Sequence, residues 1–275
     1  MRLDRGKVTV RRLKIQISYD GAAYHGWQVQ SGQETIQLAL QRVLTEIDGE
    51  PVLVAGSGRT DAGVHALAQV AGFTLHNRIP AENLRQAMNK LLPLDIRILS
   101  VEDTYPEFDP RRDATAKTYE YRIVRSPLCS PFDRLYVHHH PFPLDESAMV
   151  RLAPLFEGEH DFSAFAAKDI KRDARGYSKV RTIFSSTVTR EGDRLIYRVR
   201  GSGFLKHMVR NIVGTLIDVG KGNVSETRLR AMLEAGHPEK AGLRMPASGL
   251  FLVSVEYGTP DPAAASRPGP ATEDA

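Results

Sequence analysis

Arg59 and Asp61 stand two residues apart in the glycine-rich stretch "AGSGRTDAGVHALAQV", which covers residues 55–70. Glycines beside charged residues suit two kinds of chemistry: a loop that binds phosphate, or a loop that presents a carboxylate as a nucleophile. The phosphate interpretation is weak because the stretch lacks the "GK[ST]" that supplies a lysine and a hydroxyl. A dinucleotide-binding loop should open a helix, whereas the residues that follow here predict a strand.

Asp61 is therefore the candidate for chemistry. An aspartate close to an arginine can be held by that cation, and a carboxylate fixed in this way can attack an electrophilic carbon of a sugar or base. An ion pair in a surface loop accounts for the same residue types equally well. Composition and spacing leave both interpretations open.

The elements that would position this loop follow from hydrophobic periodicity. The first half of the chain predicts the order β-α-β-β-α-β, with elements at 13–19, 35–47, 51–56, 67–75, 80–92 and 95–102. The second half predicts a strand, a helix, two strands joined by a turn at Gly192, two helices and an apolar strand, at 117–124, 145–156, 180–189, 194–201, 203–220, 225–235 and 249–257.

Two such units in tandem predict an α+β protein made of duplicated ferredoxin-like β-α-β-β-α-β units. A segment rich in proline and charge, residues 105–116, suggests the boundary. We therefore expect a subdomain over 1–110 that carries the Asp61 loop and a second over 111–258. Residues 259–275 are rich in proline and alanine without periodicity, which predicts a disordered tail.

Composition narrows the class of protein. Hydrophobic residues make up 41% and charged residues 25% of the 275, as in ordinary soluble domains. No apolar run reaches the roughly 18 residues of a membrane span, and no signal-peptide pattern opens the chain. A single cysteine, Cys129, indicates a reducing compartment, so we expect a cytoplasmic protein. The "HHH" run at 138–140 has no accompanying ligand pattern and predicts a strand edge or loop, so no metal is assigned.

Basic residues are concentrated rather than spread. The chain has 37 lysines and arginines against 33 acidic residues, a formal charge of +4. Much of the excess lies in "RRLK" at 11–14 and in "KDIKRDARGYSKVR" at 168–181. Either stretch alone would be a solvated loop, but two of them favour contact with a phosphate backbone.

Six motifs, in order, resemble those of the tRNA pseudouridine synthase A family. "GRTDAGVHA" is similar to its active-site signature and "SYDGAAYHGWQ" to its N-terminal motif. The others are "ATAKTYEYRI", "HDFSAF", "GFLKHMVRNIVGTL" and "GLFLVSVEY". The resemblance spans about residues 11–257 and agrees least over the insert 166–181. It implies the pseudouridine synthase fold, with a central and mostly antiparallel sheet.

The resemblance also implies an activity. Members of the family convert uridine to pseudouridine at positions 38, 39 and 40 of the tRNA anticodon arm, without cofactor or metal. The N1–C1′ glycosidic bond is broken, the uracil turns, and it is rejoined through C5. The partners implied are tRNA and a second copy of the chain, since family members are homodimers.

Site residues are implied by the matching motif positions. Asp61 would be the nucleophile, and Arg59 would pair with it and help to fill the place of the extruded base. Tyr119 would stack on the uracil and help to remove the C5 proton, whereas Tyr121 is expected in the core. Arg210, which the periodicity puts on the polar face of helix 204–219 beside Lys206, would also pair with Asp61. The implied substrate contacts are made by Tyr119, Leu250, Arg59 and Lys206.

Whether Asp61 adds to C1′, adds to C6 of uracil or first removes the 2′ proton stays open at this level. A second function class is a tRNA-binding or tRNA-chaperone protein without catalysis on the same scaffold. The intact set of Arg59, Asp61, Tyr119 and Arg210 favours the enzyme. A third, a phosphohydrolase, lacks a second carboxylate cluster for metal.

Overall fold

A computed structural model describes residues 10–168, 175–234 and 241–258 of the chain. Parts of two expectations lie outside these residues: the tail at 259–275 and the centre of the basic insert, 169–174. Among the described residues, no helix is long and apolar enough to cross a membrane.

The first half of the chain forms the six predicted elements. They are β1 (Arg11–Tyr19), α1 (Ile36–Asp48), β2 (Ala55–Gly56), β3 (His65–Leu75), α2 (Ala81–Leu91) and β4 (Ile96–Asp103). Helix α1 begins where Thr35 accepts a hydrogen bond from the Leu38 amide and ends at Gly49, whose φ of 80° few other residues would adopt. The predicted strand at 51–56 is reduced to two residues.

The second half contains the predicted elements and two further short strands. Its elements are β5 (Ala114–Val124), β6 (His138–His139), α3 (Glu146–Leu152), β7 (Gly158–Asp161), β8 (Val180–Glu191), β9 (Arg194–Gly201), α4 (Met208–Gly220), α5 (Glu226–Ala231) and β10 (Leu250–Tyr257). One-turn 3-10 helices lie at Ala153–Phe156, Ser163–Phe165 and Ala247–Gly249. The β8–β9 turn has Gly192 at φ 59°, as the sequence predicts.

The ten strands of the described residues all belong to one sheet, which confirms the α+β class and the mostly antiparallel arrangement. Its order is β4-β1-β3-β10-β5-β9-β8-β7, with β2 paired to β3 and β6 to β5. Strand β10 comes from the C-terminal end yet lies between the two halves. It pairs in parallel with β3 and antiparallel with β5.

A hydrophobic core joins the helices to the sheet. On β1, Leu13, Ile15 and Ile17 are fully buried, and they belong to the same cluster as Leu40 and Leu44 of α1. The buried apolar side chains of β1, every second residue, therefore pack with the apolar face of α1, as the periodicities of strand and helix require. Tyr121 is fully buried, which confirms its expected place in the core.

One helix boundary was predicted wrongly. The sequence favours a helix over 203–220, but α4 begins at Met208. His207 precedes it with φ 63°, so the helix cannot extend back through this residue. Lys206 and His207 therefore lie before the helix and not on its polar face.

Candidate active site

The loop that carries Asp61 closes in a tight turn. The amide of Val64 donates to the carbonyl of Asp61 at 3.1 Å, and Gly63 between them has φ 77°. On the other side of Asp61, the hydroxyl of Thr60 is hydrogen bonded to the Tyr19 hydroxyl at 2.8 Å. These bonds fix the backbone on both sides of the aspartate.

The "SYDGAAYHGWQ" segment at 18–28 packs directly against this loop. The Trp27 amide donates to the Thr60 carbonyl at 3.0 Å, and the Gly63 amide donates to the Tyr24 carbonyl at 3.3 Å. Gly26 lies so close that a Cβ there would be 2.6 Å from the Thr60 oxygen. The first motif along the chain therefore supports the second.

A buried polar network supports the start of the loop from beneath. Lys117 Nζ donates to the Ser57 carbonyl at 2.5 Å, and the Ser57 hydroxyl donates to Gln69 Oε1 at 2.5 Å. Gln69 Nε2 in turn donates to the Gly58 carbonyl at 3.0 Å. Burial, with the nearby charge of Arg111, lowers the pKa of Lys117 to about 8. No local pattern in the sequence marks these residues as a group.

Asp61 forms an ion pair with Arg210, which is 149 residues away in the sequence. Arg210 Nη1 donates to Asp61 Oδ2 at 2.9 Å, and Nε donates to the Met245 carbonyl at 2.7 Å. Arg210 is only 8% exposed, whereas the Asp61 side chain is 28% exposed. The predicted contact between the two is present, but Arg210 is a buried residue rather than one on a solvated helix face. A buried guanidinium of this kind is stable only because both of its sides are hydrogen bonded.

The second group beside Asp61 is a histidine. His207 Nε2 lies 3.5 Å from Asp61 Oδ2, and Arg244 Nη1 lies 3.1 Å from His207 Nδ1. Burial, Arg244, Arg210 and Lys206 together lower the pKa of His207, against the opposing charge of Asp61. In the sequence, His207 stands three residues before Arg210, within the motif "GFLKHMVRNIVGTL".

The pairing expected between Arg59 and Asp61 is not formed. Arg59 is exposed, and its Nε donates to Gln28 Oε1 at 3.0 Å. Within the described ranges the ion pairs of Asp61 are with Arg210 and His207 and not with Arg59. The guanidinium bonds to Gln28 instead, so closeness in sequence did not produce the contact.

Tyr119 and Leu250 lie on neighbouring strands of the sheet, β5 and β10. Tyr119 on β5 is 8% exposed and meets Phe204 edge-on, with ring centroids 5.0 Å apart. Burial raises the pKa of its phenol, and the charges of Tyr19 and Asp61 add to the shift. Leu250, 6% exposed, begins β10 and pairs with Tyr121.

Lys206 is exposed beside the site. Its carbonyl accepts a hydrogen bond from the Ala167 amide at 3.0 Å, which brings the start of the basic insert close to it. The end of the insert is also near, since a Cβ on Gly203 would be 3.9 Å from Arg181 Nε.

The histidine run lies elsewhere, because His138 and His139 form the short strand β6 at the side of β5. This confirms the strand-edge interpretation. In the part of the chain that the structure describes, no three His, Cys, Asp or Glu side chains are grouped to hold a metal ion.

The fold and the site together define an α+β protein in which a buried arginine holds one aspartate. The family model described as tRNA pseudouridine synthase matches residues 15–111 and 152–258. A tRNA pseudouridine synthase A of Solibacter usitatus is 60% identical over 248 residues, which are 90% of this chain and 100% of that protein.

Two less similar relatives carry the same name. The protein of Pelobacter propionicus is 43% identical over 90% of this chain and all of its own length. That of Limosilactobacillus fermentum is 40% identical over 91% of this chain and 98% of its own. The chain belongs to the tRNA pseudouridine synthase family.

Proposed function

We propose that this protein converts uridine to pseudouridine in tRNA, at positions 38, 39 and 40 of the anticodon arm, with Asp61 as the nucleophile. Family membership supports the reaction. The observation that carries the assignment to Asp61 is the ion pair of 2.9 Å between its Oδ2 and the buried Arg210. That pair holds the carboxylate at a fixed place while leaving it partly open to solvent.

The reaction asks for a carboxylate that reaches a nucleotide withdrawn from the RNA stack. Asp61 would add to C1′, add to C6 of uracil or remove the 2′ proton, and each route begins from its ionised form. The glycosidic bond from N1 to C1′ breaks, a bond from C5 to C1′ forms, the C5 proton leaves, and N1 takes up a proton. No electron acceptor is needed because the product is an isomer of the substrate.

Three residues would complete the pocket. Tyr119 would stack on the uracil, an interaction worth about 1–3 kcal/mol per base, and assist removal of the C5 proton. Leu250 would pack against the same base. Arg59 is exposed and bonds to Gln28 rather than to Asp61. It would therefore fill the space that the extruded base leaves.

The surrounding basic residues would bind the tRNA backbone. Lys206, Lys168 and Arg175 are exposed at or near the insert whose ends adjoin the site. Such contacts recognise shape and phosphate spacing and weaken with salt. We further propose a cytoplasmic homodimer that works without cofactor or metal, as the family resemblance implies.

Single-uridine transcripts test the proposal. Each tRNA transcript would carry a single tritiated uridine, labelled at C5, at position 38, 39 or 40. In a control transcript the labelled uridine would lie in another arm. We expect release of tritium from the three anticodon-arm transcripts and none from the control. Binding of all transcripts without release from any would instead establish the non-catalytic tRNA-binding protein.

A further inference from the structure

His207 makes a second contact with the carboxylate that Arg210 holds. Its Nε2 lies 3.5 Å from Asp61 Oδ2, the same oxygen that Arg210 binds at 2.9 Å. Among the described residues, both of these contacts of the Asp61 side chain involve Oδ2. Oδ1 is not the oxygen that either of these two partners contacts.

Arg244 lies against the same ring. Its Nη1 is 3.1 Å from Nδ1 and 3.4 Å from Nε2, so Nδ1 is the nearer of the two nitrogens. A guanidinium can only donate, so a hydrogen bond from Arg244 to Nδ1 needs that nitrogen to be the acceptor. The neutral ring would then carry its proton on Nε2, the nitrogen that lies 3.5 Å from Asp61 Oδ2.

The backbone of His207 is held in an unfavourable conformation. Its φ of 63° is the only positive value at a non-glycine residue in the described part of the chain. Glycine or asparagine would adopt this conformation with less strain. Strain of this kind is retained where a particular side chain is needed at a particular place.

We propose that His207, fixed by Arg244, is a positioning residue that donates from Nε2 to Asp61 Oδ2 and so leaves Oδ1 to the substrate. The inference rests on the proposed role of Asp61 as nucleophile. Asp61, Arg244, Arg210 and Lys206 are the charged groups that act on the ring, and burial with the three cations lowers the pKa of His207. Burial and these cations therefore favour the neutral form of the ring. Protonation would turn its hydrogen bond into an ion pair and weaken the carboxylate as a nucleophile.

Substitution by glycine separates this role from a structural one. His207→Gly removes the imidazole but relieves the backbone, so we expect an unchanged or higher Tm. The single-turnover rate on tRNA should fall about tenfold, the factor set by one hydrogen bond to a charged group. The Kd for tRNA should be unchanged. His207→Gln, which keeps an N–H near the position of Nε2, should recover most of the rate. A glycine variant with the wild-type rate would overturn the proposal.

The pH profile gives an independent test. Arg244→Met removes a charge that lowers the pKa of His207, so the acidic limb of the single-turnover rate should move to higher pH. In the His207→Gly background the same substitution should leave the limb unmoved. An unmoved limb in the Arg244→Met single variant would refute the role of Arg244. Tritium release by Asp61→Asn would overturn the proposed role of Asp61 on which this inference rests, whereas an inactive Asp61→Asn beside a fully active His207→Gly would overturn this inference alone.

Discussion

Asp61 and Arg210 form the contact on which the proposed chemistry depends. The aspartate keeps 28% of its side chain exposed while the arginine is almost fully enclosed and also binds the Met245 carbonyl. A buried charge with both sides satisfied is costly to disturb, because removal of one partner leaves the other desolvated and unpaired. The pair therefore fixes the position of the carboxylate before any substrate arrives.

Lys117, beneath the same loop, makes stability depend on pH. Its pKa of about 8 in the folded protein lies below its ordinary value of 10.5. Between these two values the unfolded chain binds more protons than the native one, so this group raises the free energy of unfolding as pH rises. Relative to Lys117→Met, we expect the free energy of unfolding of the wild type to rise by up to about 2 kcal/mol between about pH 7.5 and about pH 9.5.

Denaturant unfolding of both proteins at the two pH values measures this gain. The comparison cancels the titration of tyrosines, which both proteins share. A difference in the free energy of unfolding that stays constant over the range would contradict the depressed pKa of Lys117.

At the scale of elements, the segment 18–28 and the Asp61 loop support each other through backbone hydrogen bonds. Gly26 has φ 86° and lies against the Thr60 carbonyl, where a Cβ would be 2.6 Å away. Gly32 has φ 72° but nothing within 4 Å of a Cβ. Both glycines have a positive φ at which any other residue would be strained, and they differ in the space around them.

Alanine at these two glycines separates strain from crowding. Gly32→Ala should cost about 1–2 kcal/mol of unfolding free energy and leave turnover unchanged. Gly26→Ala should cost about 1–3 kcal/mol more, because the loop must move, and should also lower turnover. Thermal unfolding and tritium release measure the two effects. Equal losses in both variants would mean that the segment does not support the loop.

Periodicity in the sequence predicted most of these elements, and its failures have local causes. The apolar residues Phe204 and Leu205 extend the helical pattern, but the left-handed backbone of His207 delays α4 to Met208. The contact of Asp61 with Arg210 was implied only by resemblance, since spacing cannot join residues 149 apart. The local pairing of Arg59 with Asp61 was wrong because the arginine bonds to Gln28.

At the scale of the whole molecule, the site forms where the two halves of the sheet meet at β10. Asp61 precedes β3, Tyr119 lies on β5, and Leu250 starts the strand between them. His65 of β3 and Phe251 of β10 stack with centroids 4.7 Å apart across this junction. The last described strand of the chain therefore unites the parts of the site.

Shortening the chain tests this dependence. A protein that ends at residue 249 lacks β10 and leaves the inner edges of β3 and β5 unpaired, so we expect no cooperative thermal transition. A protein that ends at residue 258 keeps every described strand and should unfold at the Tm of the full chain. Calorimetry compares the two. A cooperative transition in the shorter protein would show that the halves assemble without β10.

Substitution of Asp61 by asparagine tests the central claim most directly, because the amide keeps the shape of the carboxylate and removes its charge. Tritium release from C5-labelled tRNA would be followed in a single turnover with enzyme in excess, beside a measurement of tRNA binding. We predict that Asp61→Asn binds tRNA and releases no tritium. Release at the wild-type rate would contradict the assignment of Asp61 as the nucleophile.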